Sequence, residues 1–228
     1  MESQLHKELN TLKEDIMRMF ALVEEALDHS VQALLNRNDQ LAEEVIDKDA
    51  AINQLEVEIE EKVLDILARW QPVAKDLRFL TGCSKVSNEL ERLGDQATNI
   101  AERALILNQR PKLSMMTTVH ALSEVAMDMF RKVVTAFSDL DCNLSADVCR
   151  LDNTADKLNV KIIRELIDYM GKDNTIVERP VHTIIVSNSL ERVGDLSTNI
   201  AEEVVFIIFG INVRHSEWFD APDQTIPC

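Results

Sequence analysis

An internal repeat constrains the fold of this chain more than any other feature. Residues 88–102 read NELERLGDQATNIAE and residues 188–202 read NSLERVGDLSTNIAE, so eleven of fifteen positions are identical at a constant offset of 100. A second pair of segments aligns at an offset of 103 and shares Asp49/Asp152, Leu55/Leu158, Val57/Val160, Ile59/Ile162 and Asp65/Asp168. Self-similarity over such a distance indicates two copies of one structural unit, each about 105 residues long.

Each copy is predicted to contain three long helices. From residue 5 to residue 36 the apolar side chains recur at steps of three and four, which is the period of an amphipathic helix. The chain has only five glycines and five prolines among 228 residues, too few for the many turns of an all-β protein. Polar or proline-containing breaks then divide the chain into six predicted helices, at about 5–36, 41–68, 72–108, 117–140, 145–170 and 175–209.

Several residues are expected to set the helix limits. Asn38 or Asp39 suits the N-cap of the second helix, and Pro72 fits the first turn of the third. Gly171 is expected to stop the fifth helix, and Pro180 either kinks the sixth helix or marks its start. The expected fold is therefore all-α, with two tandem antiparallel three-helix bundles. The first repeat covers residues 1–110, the second covers 111–212, and a C-terminal tail covers 213–228.

Composition and charge limit the kinds of partner that this chain is expected to bind. The chain carries 24 Lys and Arg against 40 Asp and Glu, a net charge of -16, so a nucleic-acid partner is not expected. The longest apolar run, residues 204–211, is far shorter than the roughly 20 residues of a membrane span. The N-terminus has no apolar segment typical of a signal peptide, and single cysteines in helical sequence are usually reduced. These features predict a cytoplasmic protein without membrane insertion.

The repeated motif places acidic and amide side chains on one face of a helix. On a helical projection its polar residues fall within an arc of about 80°, opposite the apolar residues. The stripe comprises Asn88, Glu91, Asp95, Asn99 and Glu102 in the first copy, and Asn188, Glu191, Asp195, Asn199 and Glu202 in the second. An ordinary solvated face is the simplest interpretation of one such helix.

Three observations favour a functional stripe instead. Its polar residues are identical in the two copies, whereas a merely solvated face could change freely. Glu91 and Asp95 are like charges one turn apart, which repel each other. Gly94 and Gly194 lie mid-helix, where glycine costs about 1 kcal/mol relative to alanine, so we expect something to approach the backbone closely. Two carboxylates one turn apart form half of a site for a hard or borderline cation.

The second helix of each copy can supply the other half of such a site. Asp49 and Asn53 are oxygen ligands at i,i+4, and Asp152 and Asp156 occupy the equivalent positions. Because Asn53 replaces a carboxylate, we expect the first site to bind a cation more weakly. Attraction between an acidic side chain and the positive end of a helix dipole is an equally good explanation of Asp49 and Asp152.

The doubled motif E-R-x-G-D-x-x-x-N-I-A-E resembles that of the PhoU family of phosphate-transport accessory proteins, and so do residues 71–78 and 213–215. The resemblance covers about residues 5–215. It implies two three-helix bundles with surface metal clusters, in which Glu91, Asp95, Glu191 and Asp195 match the family motif. Iron is the expected ion, with manganese, magnesium or zinc as alternatives.

The resemblance also implies a function. Members of the family negatively regulate phosphate uptake and the phosphate-starvation response, and the implied partners are the ATPase of the phosphate ABC transporter and a sensor histidine kinase. Such partners would place the chain peripherally at the inner face of the membrane. An exposed two-bundle body commonly self-associates, so a homo-oligomer, and first a dimer, is expected.

Two other functions compete with this interpretation. A helical scaffold could use the acidic stripe only as a docking surface for a protein. A carboxylate-bridged metallohydrolase is conceivable because metal ions activate water. A di-iron oxidase needs Glu-x-x-His pairs, and none of the five histidines has glutamate three positions before it. We therefore do not expect an enzyme.

Overall fold

The structure is a computed structural model that describes residues 4–113, 115–172 and 177–213. Six α-helices form its secondary structure: α1 (Gln4–Asn36), α2 (Asp39–Trp70), α3 (Ala74–Asn108), α4 (Met116–Asp139), α5 (Cys142–Lys172) and α6 (Glu178–Phe209). The predicted all-α fold is confirmed, because the three-and-four spacing of apolar residues identifies long amphipathic helices reliably. None of the described helices combines the length and apolar character that a membrane span requires.

Three helix limits have clear signals in the sequence. Asn38 is the N-cap of α2, and its side-chain oxygen accepts a hydrogen bond from the backbone N–H of Leu41 at 3.2 Å. Gly210 ends α6 in the left-handed conformation, with a φ of 74°, which favours glycine. Pro180 lies in the first turn of α6, so it marks the start of that helix and does not kink it.

Two predicted limits are wrong. Gly171 does not stop α5, which continues through it to Lys172. Pro72 precedes α3, which begins at Ala74 after the extended residue Val73. Thr175, the predicted start of the sixth helix, lies outside the described residues. The predicted C-terminal tail also lies outside the described residues, apart from Val213, which is buried.

One expectation about the cysteines is also wrong. Cys83 and Cys149 are free, as expected, but Cys142 is disulfide-bonded, whereas the sequence predicted reduced cysteines.

Each half of the chain forms a three-helix bundle. α1, α2 and α3 pack against one another, and α4, α5 and α6 do the same. The first bundle buries Leu12, Ile16 and Ile59 completely, and the second buries Val133 and Ile162. Each such side chain contributes about 1.5–3 kcal/mol by leaving water. The end of the predicted first repeat, residue 110, falls between α3 and α4.

The two bundles pack side by side through α3 and α6, with a smaller contact between α1 and α4. Lys85 of α3 pairs with Glu203 of α6 at 3.1 Å. In the α1–α4 contact the ring centroid of Phe20 lies 5.4 Å from Phe137 and 6.0 Å from Phe130. The buried side chains of both bundles form one continuous apolar core. The helices that carry the repeated motif are therefore also the helices that join the halves.

Candidate metal centre

The second half brings three carboxylates together between α5 and α6. One carboxylate oxygen from each of Asp152, Asp156 and Asp195 lies within 4.8 Å of the other two. Asp152 and Asp156 are one turn apart on α5, and Asp195 faces them from the repeated motif on α6. Oxygen ligands at this separation can surround a single hard cation. With Glu191, one turn before Asp195, these residues are called the second cluster below.

Burial and mutual repulsion make the second cluster a poor place for uncompensated negative charge. Burial raises the pKa of Asp152 to about 6, and Asp195, Asp156 and Glu202 add to the rise. The pKa of Glu191 rises to about 7, first because of burial and then because of the three aspartates, against a smaller opposing effect of Arg192. A bound cation would compensate this charge directly.

The first half has an equivalent but different cluster between α2 and α3. Asp49, Asn53 and Glu56 lie on α2, and Glu91 and Asp95 lie on α3; these five residues are called the first cluster below. Burial raises the pKa of Glu91, and Asp95, Glu56 and Asp49 raise it further. The pKa of Asp95 rises through burial and the charge of Asp49. The amide of Asn53 donates a hydrogen bond to Asp49 at 3.0 Å and so occupies one of its carboxylate oxygens.

A threonine in the repeated motif behaves differently in the two clusters. In the first half the hydroxyl of Thr98 donates a hydrogen bond to Oδ1 of Asp49 at 3.2 Å. The equivalent atoms in the second half are Oγ1 of Thr198 and Oδ1 of Asp152. Both are buried, and neither has a hydrogen-bond partner among the described residues. A buried carboxylate oxygen without a partner is costly, so the donor set of the second cluster fits a cation that would satisfy this oxygen.

The repeated glycines have a packing explanation. A Cβ atom at Gly94 would lie 3.1 Å from the side chain of Ile52 on α2 and 3.7 Å from Oδ1 of Asp49. A Cβ atom at Gly194 would lie 3.4 Å from Met129 on α4 and 3.6 Å from Cβ of Ala155 on α5. The close approach expected from sequence therefore occurs, and it comes from the neighbouring helices. This close packing holds each copy of the motif against the helix that carries the remaining acidic residues of its cluster.

Two arginines of the motif face the second cluster. A surface pocket of about 260 Å³ is lined by Asp152, Asp195 and Thr198 together with Arg92 and Arg192, and Leu196 and Asn199 complete it. Arg92 reaches the pocket from α3 of the first half and also pairs with Glu89 at 2.7 Å. The second cluster thus opens toward cationic side chains from both halves. A bound cation there would be accessible to an anionic group.

All seven metal-site residues predicted from the sequence lie on the helix pairs α2–α3 and α5–α6. Asp152, Asp156, Asp195 and Glu191 form the second cluster, whereas Asp49, Glu91 and Asp95 belong to the first. Sequence reasoning missed Glu56, because its equivalent in the second half is Asn159 and the repeat is not conserved there. The threonine that follows each motif aspartate by three residues was also missed, although its identity in both copies was a usable signal.

Comparisons with known proteins agree with this architecture. A family model described as the PhoU domain matches residues 16–104 and again 119–204. The chain is 38% identical over 212 residues to a phosphate-specific transport system accessory protein PhoU homolog from Aquifex aeolicus (strain VF5), covering 93% of this chain and 96% of that protein. It is 31% identical over 212 residues to phosphate-specific transport system accessory protein PhoU from Escherichia coli (strain K12), covering 93% and 88%. The crystal structure of PhoU from Pseudomonas aeruginosa superposes with a TM-score of 0.89 at 34% identity, covering 91% of this chain and all of that one.

Proposed function

The chain belongs to the PhoU family, and from that premise we propose that it is a metal-binding regulatory adaptor that negatively controls phosphate uptake and phosphate-starvation signalling. The names of its relatives, accessory proteins of a phosphate-specific transport system, support the phosphate-transport part of the proposal. The proposed partners are the ATPase of the phosphate ABC transporter and the sensor histidine kinase of the starvation response. The adaptor would work in the cytoplasm, at the inner face of the membrane.

The observation that carries the metal part is the second cluster. Asp152, Asp156 and Asp195 hold three carboxylate oxygens within 4.8 Å of one another. Without a cation, burial and the repulsion between neighbouring carboxylates both cost free energy, and both raise the pKa values of Asp152 and Glu191. The all-oxygen donor set suits a hard cation such as ferric iron, manganese or magnesium better than a soft one.

A regulatory role follows from the change of surface charge that metal binding would cause. A multivalent cation held by these carboxylates turns a repulsive acidic patch into a neutral or cationic one. Such a change governs which charged surfaces can dock, because electrostatic complementarity sets both association rate and specificity. Arg92 and Arg192 already give the neighbouring pocket wall a positive charge. A metal-loaded cluster would therefore present a positive face to an acidic or phosphate-bearing partner surface.

The first experiment is elemental analysis of protein purified without chelator. The test variant carries Glu91→Ala, Asp95→Ala, Glu191→Ala and Asp195→Ala. The matched control removes four exposed acids away from the clusters: Glu14→Ala, Glu43→Ala, Asp47→Ala and Glu124→Ala. We expect metal in the wild type and the control and none in the test variant, with equal helicity by circular dichroism. If iron, manganese and zinc all fail to bind the wild type when added back, the metal-binding proposal is wrong.

The second experiment tests regulation with the same two variants. Each variant replaces the wild-type copy in cells, and phosphate uptake and a phosphate-starvation reporter are measured in phosphate-rich medium. We expect the test variant to leave both active and the control to repress them. A variant that loses metal yet regulates normally would leave the acidic stripe as a protein-docking surface or a structural feature. Turnover of phosphoesters by the metal-loaded wild type, abolished in the test variant, would instead indicate a metallohydrolase.

A further inference from the structure

Both copies of the motif arginine line one pocket. Arg92 on α3 and Arg192 on α6 are equivalent residues of the repeat, separated by 100 positions. They nevertheless meet at the pocket beside Asp152 and Asp195. The packing of α3 on α6, which joins the two halves, brings them together. The pocket therefore combines guanidinium groups from both bundles with carboxylates of the second cluster.

The two arginines differ in how their guanidinium groups are held. Arg92 donates a hydrogen bond to Glu89 at 2.7 Å, and the amide of Asn199 on α6 donates another to the same carboxylate oxygen at 3.3 Å. Glu89 is buried, so it fixes Arg92 at the edge of the pocket. Arg192 is exposed and forms no hydrogen bond or ion pair within the part of the chain that the structure describes. Because a guanidinium group has five N–H donors, most donors of both arginines are available to a ligand.

We propose that this pocket binds a phosphate-type oxyanion, which Arg92 and Arg192 hold against the second cluster when a cation occupies that cluster. Planar guanidinium groups bind the oxygens of phosphate in pairs. The pocket volume of about 260 Å³ is below the roughly 300–1,000 Å³ of sites for drug-sized ligands, so the pocket suits a small ion. Thr198 also lines it, and its buried hydroxyl has no hydrogen-bond partner among the described residues. The inference rests on the proposed metal binding and deepens it, because it names a second ligand of the same site.

The charges that line the pocket make anion binding depend on the metal. Asp152 and Asp195 offset the two arginines, and Arg92 already pairs with Glu89, so the metal-free pocket has no excess positive charge for an anion. A cation in the second cluster compensates the aspartates and leaves the arginines to the anion. Each ligand then strengthens the binding of the other by the same factor. Because a dianion returns negative charge to this surface, the charge of the docking face would follow the phosphate concentration.

Equilibrium dialysis with radiolabelled phosphate at constant ionic strength tests the proposal. We expect the wild type loaded with manganese or iron to bind phosphate at least about tenfold more tightly than the wild type in chelator. Arg192→Gln should weaken phosphate binding to the loaded protein at least about tenfold, because it removes hydrogen bonds between charged groups. Removing a positive charge beside the cluster should not lower the metal content, which elemental analysis of the same sample checks.

Two further variants control for folding and for net charge. Arg92→Lys keeps a positive charge beside Glu89 but loses the planar pair of donors, so it should also weaken phosphate binding. Arg164→Gln is the matched control, because it removes an exposed arginine from α5 and changes the net charge as Arg192→Gln does. It should bind phosphate like the wild type, and circular dichroism should be the same for all variants.

Competition identifies the source of the anion. If phenyl phosphate displaces the label as well as unlabelled phosphate does, the site accepts phosphoryl groups on larger molecules; if it competes poorly, the ligand is free phosphate. Metal-loaded wild type that binds no phosphate, or binds it no better than in chelator, would overturn the inference and leave the metal proposal intact. So would Arg192→Gln that binds phosphate like the wild type. A wild type that takes up neither manganese nor iron would overturn both proposals.

Discussion

The two acidic clusters differ in where α2 and α5 place their second acidic residue. On α2 the polar residues are Asp49, Asn53 and Glu56, whereas the equivalent residues on α5 are Asp152, Asp156 and Asn159. Each helix thus provides two acids and one amide, but the second acid and the amide have exchanged positions between α2 and α5. Only the arrangement in the second half gathers three carboxylates within 4.8 Å among the described residues. The position of the acids therefore distinguishes the two sites, and their number does not.

On α5, the amide takes on a structural role. Asn159 is buried, accepts a hydrogen bond from Ser187 at 2.5 Å and donates one to Asn188 at 3.3 Å. These contacts tie α5 to α6 beside the second cluster. In the first half Glu56 occupies this position, is only partly buried, and has a raised pKa because of burial and the nearby Glu60. If both clusters bind a cation as proposed, we expect the second to bind it more tightly than the first.

The largest expected effect comes from exchanging the residues that distinguish the clusters. Asp156→Asn gives the second cluster the amide of the first and should weaken metal binding there by roughly tenfold to a hundredfold, because the charge of the ligands sets affinity. Asn53→Asp should strengthen binding at the first cluster in return. Isothermal titration with manganese measures both affinities in each variant. Equal affinities at the two sites of the wild type would contradict the comparison.

A control separates the ligand effect from a general effect of charge. Asp168→Asn removes an exposed acid from α5 three turns beyond Asp156, so it changes the net charge by the same amount. It should leave both metal affinities within about twofold of the wild type, because exposed charges at that distance are largely screened.

The pH dependence of stability should also differ between the clusters. The pKa of Glu191 is raised from 4.5 to about 7 by folding, so the folded protein binds more protons than the unfolded chain between these values. The resulting destabilisation is absent below about pH 4, grows as the pH rises and is complete above about pH 7. Glu191→Gln should therefore stabilise the metal-free protein at pH 8, by about 1 kcal/mol after allowance for solvent screening, and have no effect of this kind near pH 4.

Urea unfolding in chelator at several pH values measures this difference. Glu91→Gln is the matched variant, because the pKa of Glu91 is raised by the same causes and Glu91 is the equivalent residue in the first half. Its effect should have the same sign and be smaller. A larger effect for Glu91→Gln would mean that the first cluster is the more strongly repulsive of the two.

Much of this molecule could be predicted from its sequence, because helix periodicity and duplication are local signals. The spacing of apolar residues identified all six helices, and the offset of 103 aligned Asp49 and Asn53 of the second helix with Asp152 and Asp156 of the fifth. The ends of helices were harder to predict: Gly171 looked like a stop, but α5 continues through it to Lys172. Glycine only permits the left-handed conformation that ends a helix and does not enforce it.

The features that could not be predicted depend on contacts between residues that are far apart in the sequence. Periodicity gives the face of α2 that carries Asp49, but it does not give the register that places Glu56 beside Glu91. The reason for Gly94 was likewise hidden, since the neighbour it accommodates is Ile52, more than forty positions earlier in the sequence. The search for identical positions in the two repeats missed Glu56, because the corresponding acid of the second repeat lies one helical turn away from the aligned position.

The two glycines offer a finer test of how tightly each motif is packed. Gly194→Ala places a methyl group at ordinary contact distance, 3.4 Å from the flexible end of Met129, so the helix gains about 0.5–1 kcal/mol. Gly94→Ala places it 3.1 Å from the branched side chain of Ile52, and this crowding should cancel the gain. Thermal unfolding in chelator compares the two variants. If Gly94→Ala stabilises the protein as much as Gly194→Ala does, the tighter packing of α2 on α3 is refuted.

The smallest expected effect concerns the threonines. Thr98→Val removes the hydrogen bond to Asp49 and should cost roughly 0.5 kcal/mol in the metal-free protein, at the low end for a partly exposed hydrogen bond. Thr198→Val replaces a hydroxyl that has no hydrogen-bond partner among the described residues, so it should be neutral or slightly stabilising. Urea unfolding in chelator tests this pair, with valine keeping the shape of the side chain in both. Equal costs would mean that Thr198 bonds to Asp152 in solution as Thr98 does to Asp49. The buried oxygen of Asp152 would then be satisfied by the protein itself, and the difference between the two sites would rest on the positions of their acids.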